Sequence, residues 1–251
     1  LRLHPRPNTI GMAGRVFRMK HLEEVFRWAD RIGPDVPRSV EFQMLLTNRA
    51  IGIFAPGIEV AAPVFAASAK EARRAVEFLR DSPIRAKASI ALPFVRVPLS
   101  FMYSAVMSHY PSQHRWFVDN MWTNTSVKDL LPHLRRIVDT MPPPPSHALW
   151  LNWAPPPARP GMAFSMEAKS YLALYGAWKK TDLDATHGAW AVENMRSMES
   201  FSAGIQLADE NLGERPARFV SDANLARLDE IREARDPGGR FHSWLSRPDR
   251  E

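Results

Sequence analysis

Two tyrosines on one predicted strand are the residues of this sequence best placed to contact a ligand. Residues 170–178 alternate with the period of a strand, so Tyr171 and Tyr175 share one face. Leu172 and Leu174 fall on the opposite face. We expect the leucine face to pack under helices and the tyrosine face to stay open.

Neighbouring strands are expected to add polar and aromatic side chains to this open face. We place four of them there, namely Trp150, Asn152, Glu41 and Gln43. With the tyrosines they would form an amphipathic aromatic wall suited to a planar or sugar-like substrate. The same alternation also fits a solvent-facing sheet that carries ordinary polar and aromatic residues.

The composition argues against several other chemistries. No cysteine is present, which rules out disulfides, thiolate metal sites and a cysteine nucleophile. The histidines are scattered apart from His109 and His114, so we expect no metal site. No Gly-x-Ser-x-Gly elbow supports a serine hydrolase. The net charge of +6 is spread along the chain, and we therefore expect no nucleic-acid partner.

Hydrophobicity and the N-terminus suggest where the protein works. No segment approaches the roughly 18 consecutive apolar residues that a membrane span needs, so we expect no membrane partner. The absence of cysteine fits a reducing compartment, and the start of the chain lacks a signal peptide, so we expect a cytoplasmic protein. The chain begins with Leu1 rather than methionine, which favours a fragment of a longer protein.

The hydrophobic pattern predicts an α+β fold, an antiparallel sheet with helices packed on one face. Strands are expected at 10–19, 40–46, 58–67, 148–153 and 170–178, and helices at 21–32, 70–79, 126–141 and 184–198. The second half repeats the β-β-α order of the first, so the two blocks could pair into one larger sheet. Residues 82–124 are expected to form a long loop, which serves either as a binding element or lid or simply as a cover for the core.

A further amphipathic helix is predicted near the C-terminus. Leu225, Leu228 and Ile231 recur at three-residue steps on one face. Ser221 or Asp222 can cap its start. The Asp-Pro-Gly-Gly sequence at 236–239 ends it, because proline cannot continue the helical hydrogen-bond ladder.

This C-terminal stretch resembles the signature of the berberine-bridge-enzyme-like FAD-linked oxidoreductases, which are vanillyl-alcohol-oxidase-type flavoproteins. The family pattern runs roughly Asn-aromatic-x-Arg-Leu-x-x-x-Lys-x-x-Tyr-Asp-Pro-x-x-x-Phe. The matching positions are Asn224, Arg227, Leu228, Asp236, Pro237 and Phe241, with Arg232 in place of the lysine. Leu225 replaces the aromatic residue and Arg235 replaces the tyrosine. Upstream, the strand ending at Trp178 and the helix carrying Trp190 are similar to a strand-helix pair of the same family.

The resemblance covers essentially the whole chain but only the C-terminal half of the family's length. It implies that residues 1–212 form a substrate-binding α+β domain and that residues 213–251 return to an N-terminal FAD-binding domain absent from this chain. It also implies FAD as cofactor and oxidation of a small alcohol, sugar or amine by hydride transfer to the flavin. Without the partner domain, the apolar face of the C-terminal helix and Phe241 should be exposed, mobile or docked against another surface. The alternative is a stand-alone α+β ligand-binding module without redox activity.

The resemblance also directs attention to a catalytic base. Hydride transfer to a flavin requires a group that takes the substrate's proton. Many family members place a tyrosine in a Tyr-x-Asn strand, where this chain has Gln206 and Ala208. Because glutamine cannot act as a base, the candidates that remain are Tyr171, Tyr175, Glu167 and Asp209. We predict Tyr171 and Tyr175 as catalytic, Asn224 as cofactor-binding, and four substrate-binding residues, which are Trp150, Asn152, Gln206 and Glu167.

Overall fold

The protein is an antiparallel seven-stranded sheet with helices packed against one face. The computed structural model describes residues 7–153, 163–164 and 166–241. The strands are β1 (Thr9–Arg18), β2 (Phe42–Thr47), β3 (Gly57–Ala66), β4 (Ile90–Arg96), β5 (Arg115–Thr123), β6 (His147–Asn152) and β7 (Ser170–Trp178). The helices are α1 (Leu22–Ile32), α2 (Ala69–Ala75), α3 (Glu77–Arg80), α4 (Leu99–Met107), α5 (Val127–Asp139), α6 (Asp184–Arg196) and α7 (Asp222–Arg235). The predicted α+β class and the one-sided helix packing are confirmed.

The sheet is built from two halves with the same order and arrangement of strands and helices. Its strand order is β4-β1-β3-β2-β6-β7-β5, and every neighbouring pair is antiparallel. In the first half, β1, α1, β2, β3 and α2–α3 follow one another, and in the second half β5, α5, β6, β7 and α6 do the same. Each half places its third strand between the other two, and β2 pairs with β6 to join the halves. The expected larger sheet is therefore observed.

One face of the sheet, here called the helix-covered face, forms the main core. Strand alternation delivers apolar side chains to it from both halves, and α1, α2, α3, α5 and α6 pack against them. Phe26 of α1 meets Trp150 of β6 edge-on, with ring centroids 5.3 Å apart. Burial of this apolar face is the main source of the fold's stability.

The opposite face, here called the open face, carries the alternate positions of the same strands. The ladder register across β3, β2, β6, β7 and β5 places there the following side chains: Glu59, Ala61, Gln43, Leu45, Leu149, Leu151, Tyr171, Ala173, Tyr175, Val118, Asn120 and Trp122. By the same register Arg18, the last residue of β1, is the one lysine or arginine among the open-face strand positions. The rest of this face is neutral to acidic.

The predicted long loop at 82–124 is wrong, because it contains β4, α4 and β5. Pro93 lies inside β4. Proline interrupts an inner strand but is tolerated at an edge, and β4 is the edge strand beside β1. The helix predicted at 70–79 is also divided, since Val76 leaves helical geometry between α2 and α3.

Two helices contribute little to the core. The side chains of Leu99, Phe101 and Tyr103 on α4 are 60%, 53% and 65% exposed. Helix α7 is capped by Ser221, whose side chain accepts from the Asn224 amide, and it buries no residue. Ile231 and Phe241 are exposed, whereas Leu225 and Leu228 of the same segment are half-buried. No helix in the described part of the chain is long and apolar enough to cross a membrane.

Candidate functional site

A carboxylate bound by two tyrosines lies over the open face of the second half. The Tyr171 hydroxyl donates to Asp209 Oδ2 over 2.7 Å, and the Tyr175 hydroxyl donates to the same oxygen over 2.9 Å. The two phenols lie four residues apart on the same face of β7, with Ala173 between them, and one Asp209 oxygen accepts from both. Trp122 packs against Tyr171, with ring centroids 4.9 Å apart, and closes the side of the cluster.

The chain reaches this position by passing along the outer edge of β5. Trp122 donates its backbone amide to the Gly204 carbonyl over 2.7 Å. Gly204 has φ of 151°, and a Cβ there would lie 2.7 Å from the Arg218 carbonyl oxygen, so only glycine fits this turn. The Asn120 side chain then holds Gln206 by its backbone, accepting from its N–H at 2.8 Å and donating to its carbonyl at 3.0 Å. These bonds bring Asp209 across β5 towards β7.

A buried ion pair anchors the same segment from the other side of the sheet. Arg215 donates through Nε and Nη2 to the two carboxylate oxygens of Asp119, each over 2.7 Å. It also donates to the Asn120 carbonyl at 2.7 Å and to Glu199 at 2.9 Å. The Asp119 and Arg215 side chains are 0% and 4% exposed, and this two-point geometry fixes the segment 203–220 to β5.

Burial determines the protonation state of the two phenols. Tyr171 and Tyr175 are 2% and 6% exposed. Their removal from water raises the pKa of both phenols well above its usual range, and the charge of the neighbouring Asp209 carboxylate raises it further. Both tyrosines are therefore neutral hydrogen-bond donors, while Asp209 remains partly accessible to solvent.

A histidine and a third tyrosine complete the cluster. The ring of His147 stacks on that of Tyr175, with centroids 4.7 Å apart and planes 19° apart. The Tyr110 hydroxyl lies 3.4 Å from His147 Nε2. Removal from water lowers the pKa of His147 to about 4. Trp116 encloses the outer side of the cluster through its contact with Tyr110.

The predicted site residues are brought together only in part. Tyr171 and Tyr175 do lie on the open face and meet Asp209, one of the four candidate bases. Gln206 is held next to the cluster by Asn120. In the described part of the chain, no hydrogen bond or ion pair joins Glu167 to the cluster. Asn224 lies in the first turn of α7.

The placement of Trp150 and Asn152 on the open face is wrong. The β6 register pairs Trp150 with Leu172 and Met44, so it belongs to the helix-covered face. The Trp150 indole donates to Asn152 Oδ1 at 3.0 Å, and Asn152 donates to the Ala29 carbonyl of α1 at 3.1 Å. Alternation separates the residues of a strand into two sets without saying which set is buried, and the large indole fills the space under α1.

The same inversion hid the contact between His147 of β6 and Tyr175. His147 shares its face with Leu149 and Leu151, and its partner across the β6–β7 ladder is Tyr175. With the faces of β6 assigned the other way, the alternation would have placed His147 next to Tyr175. The Asp119–Arg215 pair spans 96 residues and gives no local signal in the sequence.

Within the described residues, no group of three or more potential ligands could hold a metal ion. No family model matches the chain. Searches of known proteins nevertheless return relatives of a consistent kind. The FAD-linked oxidoreductase ptmO of Penicillium ochrochloron is 25% identical over 235 residues, which are 91% of this chain and 51% of ptmO. The FAD-linked oxidoreductase penO of Penicillium crustosum is 27% identical over 143 residues, or 56% of this chain and 32% of penO.

The chain is thus similar to FAD-linked oxidoreductases over most of its length. The resemblance read from its C-terminal stretch is thus confirmed, and the chain spans about half the length of ptmO. Solved structures share the fold at lower identity. CrmK, a flavoenzyme of caerulomycin biosynthesis, has a TM-score of 0.73 at 16% identity, covering 96% of this chain and 56% of CrmK. A variant of Physcomitrella patens BBE-like 1 has a TM-score of 0.70 at 12% identity, with 96% and 54% coverage.

The 6-hydroxy-D-nicotine oxidase of Arthrobacter nicotinovorans also shares the fold, with a TM-score of 0.67 at 12% identity. It covers 95% of this chain, and this chain spans 54% of its length. The solved relatives are thus also about twice as long as this chain.

Proposed function

We propose that this chain supplies the substrate-facing part of an FAD-dependent oxidoreductase and that Asp209 is its proton acceptor. The observation that carries the proposal is the Asp209 carboxylate, which accepts from both Tyr171 and Tyr175 above the open face of the sheet. The FAD-linked relatives supply the reaction class. The substrate would be an alcohol, a sugar or an amine.

The chemistry follows from the three side chains. Oxidation of a hydroxyl or amine carbon removes a hydride and a proton, and bound FAD would supply the hydride acceptor. Both phenols donate to Oδ2 of Asp209 and hold the carboxylate in one orientation, in which it can meet the substrate proton. Because the phenols are almost fully buried, Asp209 is the member of the group that a substrate can reach. Tyr171 and Tyr175 then orient Asp209 and remain neutral.

The open face suits the flavin ring of FAD but not its diphosphate. The open face offers half-buried apolar side chains, Leu45, Leu149 and Leu151, on which a flat ring can lie. Its strand positions carry a single permanent cation, Arg18 at the end of β1, and no cluster of cations that would hold a diphosphate. We propose that the diphosphate and adenosine are bound by an FAD-binding domain outside residues 1–251.

The exposed apolar helices are the surfaces we assign to that domain. Helix α4 exposes Leu99, Phe101 and Tyr103, and α7 exposes Ile231. Neighbouring exposed apolar side chains on one helix are typical of a surface that contacts another protein. In this proposal residues 213–251 return to the FAD-binding domain and bring Asn224 towards the cofactor, while residues 1–212 form the substrate-binding domain. We keep the cytoplasm as the expected compartment.

The proposal is tested with the product of the complete gene and a panel of alcohols, sugars and amines. Asp209→Asn should slow flavin reduction by about a hundredfold or more without changing flavin content, because it removes the proton acceptor. Asp222→Asn is the matched control, since Asp222 is an exposed carboxylate paired with Arg218. An Asp209→Asn protein that reduces its flavin at the wild-type rate would exclude this role.

A further inference from the structure

The turn that carries Asp209 has a backbone conformation that alanine rarely adopts. Ala208 has φ of 154°, in the region that favours glycine because a Cβ there crowds the backbone. Gly204, which precedes it in the same segment, has nearly the same φ of 151°. The segment thus meets this conformation once with glycine and once with alanine. Ala208 is exposed, so packing of its side chain does not account for the strained backbone.

Hydrogen bonds on both sides of Ala208 hold it in this conformation. Before it, the Asn120 side chain binds both the N–H and the carbonyl of Gln206. After it, the two phenols of the candidate site donate to Asp209 Oδ2. The Ala208 N–H itself donates to the Glu210 carboxylate. Strained backbone persists only where its surroundings fix it, and these contacts supply that constraint.

We propose that Glu210 is a positioning residue for Asp209, and this inference rests on the proposed function of Asp209. By accepting from the Ala208 N–H, the Glu210 carboxylate holds the strained turn in the conformation that brings Asp209 to the two phenols. Among the described residues no hydrogen bond reaches Oδ1 of Asp209, so Oδ1 is left for the substrate proton. Without Glu210, rotation of the turn would relieve the strain at Ala208 and carry the Asp209 carboxylate away from the phenols.

The first test measures the strain by urea unfolding of the 251-residue chain. Glycine adopts a φ of 154° without a Cβ penalty, so Ala208→Gly should raise the urea midpoint. Ala203→Gly is the matched control, because Ala203 is an exposed alanine of the same segment without a positive φ. There glycine only adds freedom to the unfolded chain, and the midpoint should fall. An Ala208→Gly midpoint that is unchanged or lowered would overturn the inference whatever the protein's activity.

The second test asks whether Glu210 holds that strain. Glu210→Ala removes the acceptor and should lower the urea midpoint, but it should do so much less when residue 208 is glycine, which adopts the turn unaided. Glu210→Gln keeps a side-chain oxygen that can accept, and it should retain most of the midpoint. Glu214→Ala, at an exposed glutamate of the same segment, should have an equally small effect in both backgrounds. Equal losses for Glu210→Ala in the two backgrounds would contradict the inference.

The third test uses the product of the complete gene and follows flavin reduction. Glu210→Ala should slow reduction at saturating substrate by about tenfold with the substrate affinity unchanged, because Asp209 is no longer held in place. Adding Ala208→Gly should return most of the rate, and Glu210→Gln should keep it. A double variant as slow as Glu210→Ala, or a Glu210→Ala protein with the wild-type rate, excludes the positioning role. If wild-type protein reduces no flavin, the proposed function fails, and the urea results still decide whether Glu210 holds a strained turn.

Discussion

The two halves of the sheet follow the same path but present different open faces. On the central strand of the first half, β3, the open face carries Glu59 and Ala61, and on the matching strand β7 it carries Tyr171 and Tyr175. Among the residues that the structure describes, a later segment, residues 203–209, crosses the second half and brings Asp209 to the strand, and none crosses the first half in this way. The two halves thus share one order of strands and helices. The candidate site depends on side chains present in the second half alone and on a segment that follows both halves in the sequence.

The helix-covered face is where the two halves should behave alike. Trp150 and Met44 are buried on this face and oppose each other across the β2–β6 junction. We expect Trp150→Ala to lower the free energy of unfolding by about 4 kcal/mol, since a large buried aromatic ring is lost. Urea denaturation followed by circular dichroism measures it. Phe54→Ala, at an exposed phenylalanine, should change stability by less than about 0.5 kcal/mol. Two separate unfolding transitions would mean that the halves do not share one core.

The Asp119–Arg215 pair tests whether the added segment belongs to the fold of the second half. Arg215→Ala leaves Asp119 buried without its partner and should cost about 3 kcal/mol. Arg218→Ala removes an exposed pair with Asp222 in the same segment and should cost less than about 1 kcal/mol. Equal effects for both arginines would show that burial of the pair does not anchor the segment.

The sequence predicted the scaffold better than the site. Periodicity was sufficient for α1, β3, α5, β7 and α6, because each has a continuous apolar stripe that follows one period. It missed β4 and β5, where proline and clustered aromatic residues mask the alternation. It also inverted the faces of β6, since only the helix packed above the strand decides which set of side chains is buried.

The candidate site was predictable only where it lies on one strand. Tyr171 and Tyr175 follow from the parity of β7, and Asp209 was one of four possible bases. The contact between Asp209 and the two tyrosines depends on hydrogen bonds made by Gly204, Asn120 and Arg215. These hydrogen bonds join residues that are 82 to 96 positions apart in the sequence. Such long-range hydrogen bonds leave no local pattern in a single sequence.

His147 gives the second half a pH dependence that the first half lacks at the matching place, where β2 has no histidine. Its pKa is about 4 in the folded protein and about 6.5 when unfolded. Below pH 6.5 His147 becomes protonated in the unfolded chain but stays neutral in the folded chain. The free energy of unfolding therefore falls as the pH falls from 6.5 to 4. Between pH 7 and pH 5 this amounts to roughly 2 kcal/mol. Urea unfolding at the two pH values should show this loss in wild type, and His147→Phe should lack that part of it.

The smallest expected change in stability comes from removing the hydroxyl of a tyrosine that donates to Asp209, compared with removing that of an exposed tyrosine. Tyr171→Phe removes one hydrogen bond to a charged oxygen and should cost about 1.5 kcal/mol in urea unfolding. Tyr103→Phe is the control, because Tyr103 is 65% exposed on α4. Its effect should stay below about 0.5 kcal/mol. If Tyr171→Phe leaves the free energy of unfolding unchanged, the hydrogen bond to Asp209 contributes nothing to the stability of the folded state.

Flavin content tests the central claim most directly, and it compares the isolated chain with the product of its complete gene. If the chain is the substrate-facing part of an FAD oxidoreductase, the purified 251-residue protein should be colourless. The complete product should carry stoichiometric FAD, and that flavin should lose its visible absorbance anaerobically with an alcohol, sugar or amine substrate. Stoichiometric flavin in the isolated chain, or a complete product without any flavin, would contradict the account.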